Sequence, residues 1–367
     1  MCGFIQFINE QGRRMIWKAA GCCLLVWAML THPAEAEEAT YSGRTFADWK
    51  VLAEKDLNPQ TRTEALEAIG VLGRHGHREE AIELIMAVID HEQETVVLDQ
   101  AYVSLLNFQK AAAEIMASGL SNKNRIGRVR VMAALSQHFL IADDTIDAGD
   151  RELAVAVIPG LMASFARTFD KPRKPNRDTE VTPRLVKKLE SEYRRALGNY
   201  QELVQERHLA ADLLYELLNE DLPDDLLEDV SRTLLVAAKS PDIELALPAI
   251  TLIGGVGKHA KPAIPLLIEE IQNGLLENRG GNFFGGGGYG GGGYGAGSLI
   301  VLRPRTDSIR SHRPRTTTGS QAAVDSIIRL GPIAKETKPT LEAIVKQAKG
   351  SFYQSCVDAI CAIDGEE

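Results

Sequence analysis

An all-α fold made of repeated helix pairs is what this 367-residue sequence predicts, on three observations. Apolar residues recur at helical spacing along most of the chain, and no stretch sustains the period-two alternation of a half-buried strand. A helix–turn–helix motif returns. Ile243–Asn273 (IELALPAITLIGGVGKHAKPAIPLLIEEIQN) aligns with Gln321–Ala348 (QAAVDSIIRLGPIAKETKPTLEAIVKQA), placing Gly254 on Gly331, Lys261-Pro262 on Lys338-Pro339, Ile250 on Ile327 and Ala246 on Ala323. Aromatics make up only 6% of a chain whose hydrophobic content is an ordinary 44%. With Ala and Leu recurring constantly, that favours thin helix-on-helix packing over a thick mixed core.

The chain opens with the pattern of an export signal. Arg13, Arg14 and Lys18 form a basic region, Ala19–Leu30 an apolar run, and Ala34-Glu35-Ala36 offers small residues before Glu37. The run is about a dozen residues, short of the roughly 20 needed to span a bilayer. Residues 1–36 therefore read as a signal peptide with Met15 as a candidate start, and the mature protein as exported to the periplasm or secreted. A membrane association follows only if the signal is left uncleaved. Cleavage removes Cys2, Cys22 and Cys23 and moves the formal net charge from −9 to −10. An acidic body is a poor partner for nucleic acid or anionic lipid. Cys356 and Cys361, five apart on one helix, diverge by about 140° and read as buried small residues rather than a disulfide.

In the mature chain, residues 40–169 read as N-terminal helical repeats. Thr45 caps a helix whose Phe46, Trp49, Leu52 and Ala53 share a face. Asn58-Pro59 stops it and starts the next. Pro59–Asp90 is the first clear repeat: Ala65, Ala68, Ile69 and Leu72, a turn at Gly73–His77, then Ala81 to Ile89. Ala65, Ile69 and Gly73 match Ala246, Ile250 and Gly254 in register. Val96–Leu120, with Ala101, Leu105 and Phe108, is a degenerate copy, and Val129–Ile141 another, with Ala133 as its small residue. Small residues on a first helix let the next helix approach, and each narrow stripe needs its neighbours to cover it.

Residues 170–184 (from Asp170, rich in Pro and charge) read as a linker, and 185–278 as a helical segment followed by a repeat. Thr182 and Pro183 start a long helix in which Leu189, Tyr193, Ala196, Tyr200, Leu203, Ala210, Leu214 and Leu217 form a heptad-like seam interrupted at Arg207. It reads as one long helix, or a pair kinked at Gly198-Asn199, packed within the array, with a dimerising coiled coil as the rival. Residues 279–318 form a Gly-rich, Arg-rich insertion. Ordering its 19-residue glycine stretch costs about 20–40 kcal/mol at 1–2 kcal/mol each, with four aromatics to bury in return, so it is expected to be disordered. Residues 319–364 return to the repeat and close with Cys356, Ala359, Ile360 and Ile363.

The R/x-x-x-A-x-x-A-I-x-x-L-G pattern, the Ala/Thr-Lys-Pro-Ala/Thr turn and the Ile-Pro-x-Leu second helix resemble HEAT repeats, in particular those of exported bacterial HEAT-repeat proteins. The resemblance covers Pro59–Asp90, Ile243–Asn273 and Gln321–Ala348 well, and Val96–Leu140 loosely. It implies a right-handed α-α superhelix, an armadillo-type solenoid, that acts as a protein-interaction scaffold. HEAT-like repeats also occur in bilin lyases, but no motif here singles out that branch.

The chemical motifs are weak. His75-x-His77 has the spacing of a zinc pair but no third ligand nearby. Asp143, Asp144, Asp147 and Asp150 miss the calcium-loop template, and Gly257-Lys258 fails the phosphate-loop template twice. The chain has no G-x-S-x-G, H-E-x-x-H or C-x-x-C. No cofactor is expected. The candidate anion- or partner-binding residues are Arg279, Arg303, Arg305, Arg310, Arg313 and Arg315 of the insertion. The expected function is non-enzymatic: an exported scaffold for another protein. The alternatives are an envelope-associated structural protein tethered by the insertion, or a HEAT-like lyase or hydrolase using Asp143, Asp147, His75 and His77.

Overall fold

The structure, a computed structural model, describes residues 39–141, 148–168, 171–173, 183–219, 221–279, 318–347 and 351–365. The expected signal peptide, Asp143, Asp144 and Asp147, most of the linker with Thr182, and the insertion beyond Arg279 lie outside these residues. The described residues are all-helical as predicted, with one isolated antiparallel bridge, Tyr41 to Arg44, as their only extended pairing.

The helix starts follow from the capping residues. In α1 (Phe46–Lys55) Thr45 and Asp48 close a reciprocal capping box. In α2 (Pro59–Leu72) the Asn58 side chain accepts from the Gln60 N–H at 3.0 Å, with Pro59 at the first position. A 3-10 turn, Gly73–His75, leads through Gly76 (φ 115°) into α3 (Arg78–His91). There follow α4 (Thr95–Leu106), α5 (Lys110–Leu120), α6 (Arg125–Ile141) and α7 (Ala148–Phe165). Helix α8 (Pro183–Leu217) runs 35 residues without a break at Gly198-Asn199, about 52 Å at 1.5 Å per residue. Next come α9 (Asp224–Ala238), α10 (Ile243–Ile253) capped by Asp242, a 3-10 segment Gly254–Ala263, and α11 (Ile264–Arg279). Thr318 caps α12 (Gly319–Leu330), and 3-10 turns through Gly331–Thr337 lead to α13 (Lys338–Val345) and α14 (Ser351–Asp364). Helices α7 and α9 were singled out by no sequence motif; α7 packs on α8, and α9 on α10 and the 3-10 segment after it.

The even-numbered helices form a row in which α2, α4, α6, α8, α10, α12 and α14 each pack on the next, and the odd-numbered ones pack on their sequence neighbours. Glycine marks the close approaches. A Cβ on Gly70 would meet Asn107 Nδ2 at 2.7 Å, and one on Gly254 would meet the Ser326 carbonyl at 2.8 Å. Polar contacts fix the direction of α2 against α4: Arg62, near the start of α2, bonds Glu92 just ahead of α4, while Gly70 meets Asn107 at the far end. The repeat core is as the alignment expects, with Ala65, Ile69, Ile250, Ala323 and Ile327 buried. Ala246 is only half-buried, so the small position is under less pressure in α10 than in α2 or α12.

Buried charge sits where the seam was interrupted. Arg128 on α6 and Glu206 on α8, each side chain 2% exposed, form a bidentate pair at 2.7 and 3.1 Å, and Arg128 Nη1 also donates to the carbonyls of Asn122 and Lys123. The next residue, Arg207, is fully buried and donates to Asp242 of α10 at 2.8 Å and to the Arg167 carbonyl. Adjacent residues of α8 thus tie opposite neighbours. Beyond this node the seam residues Ala210, Leu214 and Leu217 are buried, whereas Leu189 and Tyr193 are half-buried and Ala196 is exposed. The α6 and α10 ends both dock near residues 200–208, so the N-terminal half of α8 carries the seam away from the main core.

Between α4 and α6 a second pair is imperfect. Asp99 and Arg130 stand 3.7 Å apart, and the buried Asp99 Oδ1 and Arg130 Nε make no hydrogen bond. Burial pushes the Asp99 carboxyl up to about 6, only partly opposed by Arg130. Cys356 is buried and Cys361 half-buried, both as free thiols, and burial raises Cys356 to about 11.

Candidate functional site

Of the arginines singled out in the sequence, Arg279 is the last residue of α11, while Arg303, Arg305, Arg310, Arg313 and Arg315 fall outside the described residues. The His-x-His turn divides: His75 is exposed, whereas His77 lies flat on Phe46, ring centroids 4.4 Å apart and planes 5° off parallel. A ring in that position packs the turn against α1. Asp150, from the acidic stretch, holds His138 Nε2 at 2.7 Å. Lys258 and His259, of the glycine-rich turn, both engage Asp224 at the start of α9, which keeps its carboxylate below the usual range through the Lys258 and His259 hydrogen bonds. Among the described residues no cluster of three or more His, Cys, Asp or Glu could hold a metal ion.

The structure does bring together one set of polar side chains. An open cleft of about 480 Å³ is lined by Arg74, Val103, Leu106, Asn107, Gln109, Gln137 and His138. Arg74 comes from the turn after α2; the next four come from the end of α4 and the turn that follows; Gln137 and His138 come from the last turns of α6. The α4–α5 turn is built to hold its shape. Phe108 is buried against Gly73, where any Cβ would meet its ring at 2.7 Å, and Arg78 Nη2 donates to the Phe108 carbonyl at 3.0 Å. Asn107 is set against Gly70 and donates to the Ser104 carbonyl.

Gln109 then takes φ 39°, ψ −95°, in the left-handed region that a residue with a Cβ adopts only at a cost, about 1–3 kcal/mol. His138 is oriented by Asp150 on one side and stands edge-on to Phe139, centroids 4.9 Å apart. Arg74 is exposed. Nothing in the sequence run Leu106–Gln109 advertises this site, because its members come from three separate stretches.

Eight large apolar side chains are exposed among the described residues; Val51, Val236, Ile328 and Tyr353 lie within or near the ends of helices, and four others stand at helix starts. Leu57 ahead of α2 is 94% exposed, Val96 in the first turn of α4 is 58%, Ile126 in the first turn of α6 is 48%, and Ile243 at the start of α10 is 57%. Each stands at the N-terminal end of an even-numbered helix. Among the described residues no helix is long and apolar enough to cross a membrane.

No family model matches the chain, and no curated protein matches it in sequence.

Proposed function

We propose that this chain is an exported, non-enzymatic scaffold that binds another protein across the surface of a HEAT-like helical-repeat superhelix. The observation that carries the reading is the packing order: helices meet their neighbours in sequence, and one row continues from α2 to α14. A row of that kind grows in one direction and offers surface in proportion to its length. The exposed apolar residues at the starts of α2, α4, α6 and α10 supply contact points along it. The 279–318 insertion joins α11 to α12, which pack on each other.

The test is in-cell cross-linking of the full chain, compared with a variant carrying Leu57→Glu, Val96→Glu and Ile126→Glu. The expected result is one captured protein that the triple variant loses, together with a radius of gyration clearly above the about 20 Å of a compact chain of this length. A compact radius, or identical capture by the variant, would overturn the reading.

A further inference from the structure

We propose that Arg329 is a strap joining alternate helices of the row: it fastens the last turn of α12 directly to the C-terminal end of α8, across the glycine pair that follows α10. In a row of repeats each helix ordinarily meets only its neighbours, so adjacent rungs can shift one at a time. Here α12 packs on α10, and α10 on α8, but Arg329 reaches past α10. Its Nη2 donates to the carbonyl of Leu218, 111 positions earlier in the chain. Its guanidinium lies over the Tyr215 ring of α8, 4.4 Å from the centroid.

The far end of the strap suits a cation. Leu218 follows the last residue of α8, where carbonyls lack intrahelical partners and form the negative end of the helix dipole. A guanidinium can stack on a tyrosine face and still donate in its own plane. Arg329 is half-buried. Burial works against its charge, and the groups that favour the charge, Tyr215 and Glu216, both belong to α8.

Glycine clears the path. A Cβ on Gly254 would meet Arg329 Cβ at 2.9 Å, and one on Gly255 would meet Leu218 Cβ at 2.8 Å and Arg329 Cζ at 3.1 Å. Gly254 answers to Gly73 and Gly331 in the repeat alignment, but the position after it is Arg74 in one copy and Pro332 in the other. Gly255 is therefore not a demand of the repeat. Its φ is not in the left-handed region, so its backbone does not call for glycine either. What does call for glycine is the arginine lying against it. The consequence is mechanical: α8, the turn after α10 and α12 move as one block, and a displacement of α12 reaches α8 without first disordering α10.

Hydrogen exchange of the full chain, read by mass spectrometry, tests this with Arg329→Met, which keeps an apolar stem and removes the fork. The amides of Leu214–Leu218, in the last turn of α8, should exchange about tenfold faster, the worth of a charged hydrogen bond. Those of Leu245–Ala249, in the intervening α10, should keep the parent rate. Tyr215→Leu should speed the same α8 amides, and adding it to Arg329→Met should do less than the two effects combined, because both remove one contact. Should Arg329→Met not fold, Arg329→Lys, which keeps the charge without the fork, is read at the same amides and should also speed them. The strap is overturned by unchanged exchange in the last turn of α8, by faster exchange confined to α12, by α10 loosening more than α8, or by fully additive Tyr215 and Arg329 effects.

Discussion

Glu206→Ala is the sharpest perturbation the fold offers. It deletes the carboxylate that pairs in two hydrogen bonds with Arg128, at 2.7 and 3.1 Å, where both side chains are 2% exposed. The guanidinium keeps only its bonds to the carbonyls of Asn122 and Lys123, which cannot neutralise it. Removing one partner of a buried pair costs about 3–5 kcal/mol, chiefly because the other charge stays buried. A control lies one helical turn away. Glu202 pairs with Arg125 at 2.8 Å, but those side chains are 33% and 26% exposed, so Glu202→Ala should cost under about 1 kcal/mol. The combined Arg128→Met and Glu206→Leu change should restore most of the loss, since an apolar pair of similar volume carries no desolvation penalty. Urea unfolding followed by far-UV circular dichroism measures all three. If Glu206→Ala cost no more than Glu202→Ala, the pair would not be buried as described.

Three further outcomes follow from the packing and electrostatics. Gly254→Ala should destabilise by about 1–3 kcal/mol, because its Cβ would meet the Ser326 carbonyl at 2.8 Å and Arg329 Cβ at 2.9 Å, and urea midpoints read the effect. Asp99 has a folded-state carboxyl raised to about 6 from 3.8, so its contribution to stability is lost as pH rises through that window, by at most about 3 kcal/mol. Asp99→Asn should therefore flatten the stability profile between pH 4 and pH 6 relative to the parent, and equal slopes in the two proteins would count against the burial of Asp99. Thr45→Ala breaks the capping box and should cost about 1 kcal/mol, seen as faster hydrogen exchange in the first turn of α1.

Local signals in the sequence carried the local structure. Thr45 and Asn58 cap the helices they were expected to cap, because a hydroxyl or carboxamide beside free N–H groups acts within a few residues. The Ala65, Ile69 and Gly73 register carried the repeat core for the same reason. What could not be read were contacts between distant segments. Arg207 looked like a break in the seam and Glu206 carried no signal, yet each is buried with a partner that lies 35 or 78 residues away. His77 read as half of a zinc-spaced pair without a third ligand, and the structure stacks its ring on Phe46 of α1. The cleft has no sequence signature at all, since Arg74, Gln109 and His138 gain meaning only when three turns meet.

The neighbouring charges on α8 also bear on how the protein can be cut. A fragment ending at Phe165 would retain Arg128 without Glu206, and one beginning at Asp224 would retain Asp242 without Arg207. Each half therefore strands a charge when separated from α8, and α8 itself strands one for each side removed. A row of helices held only by apolar contact could be trimmed from one end, rung by rung. Here the middle rung acts as a keystone, and dissection into autonomous pieces has to keep α8 together with both of the helices it neutralises.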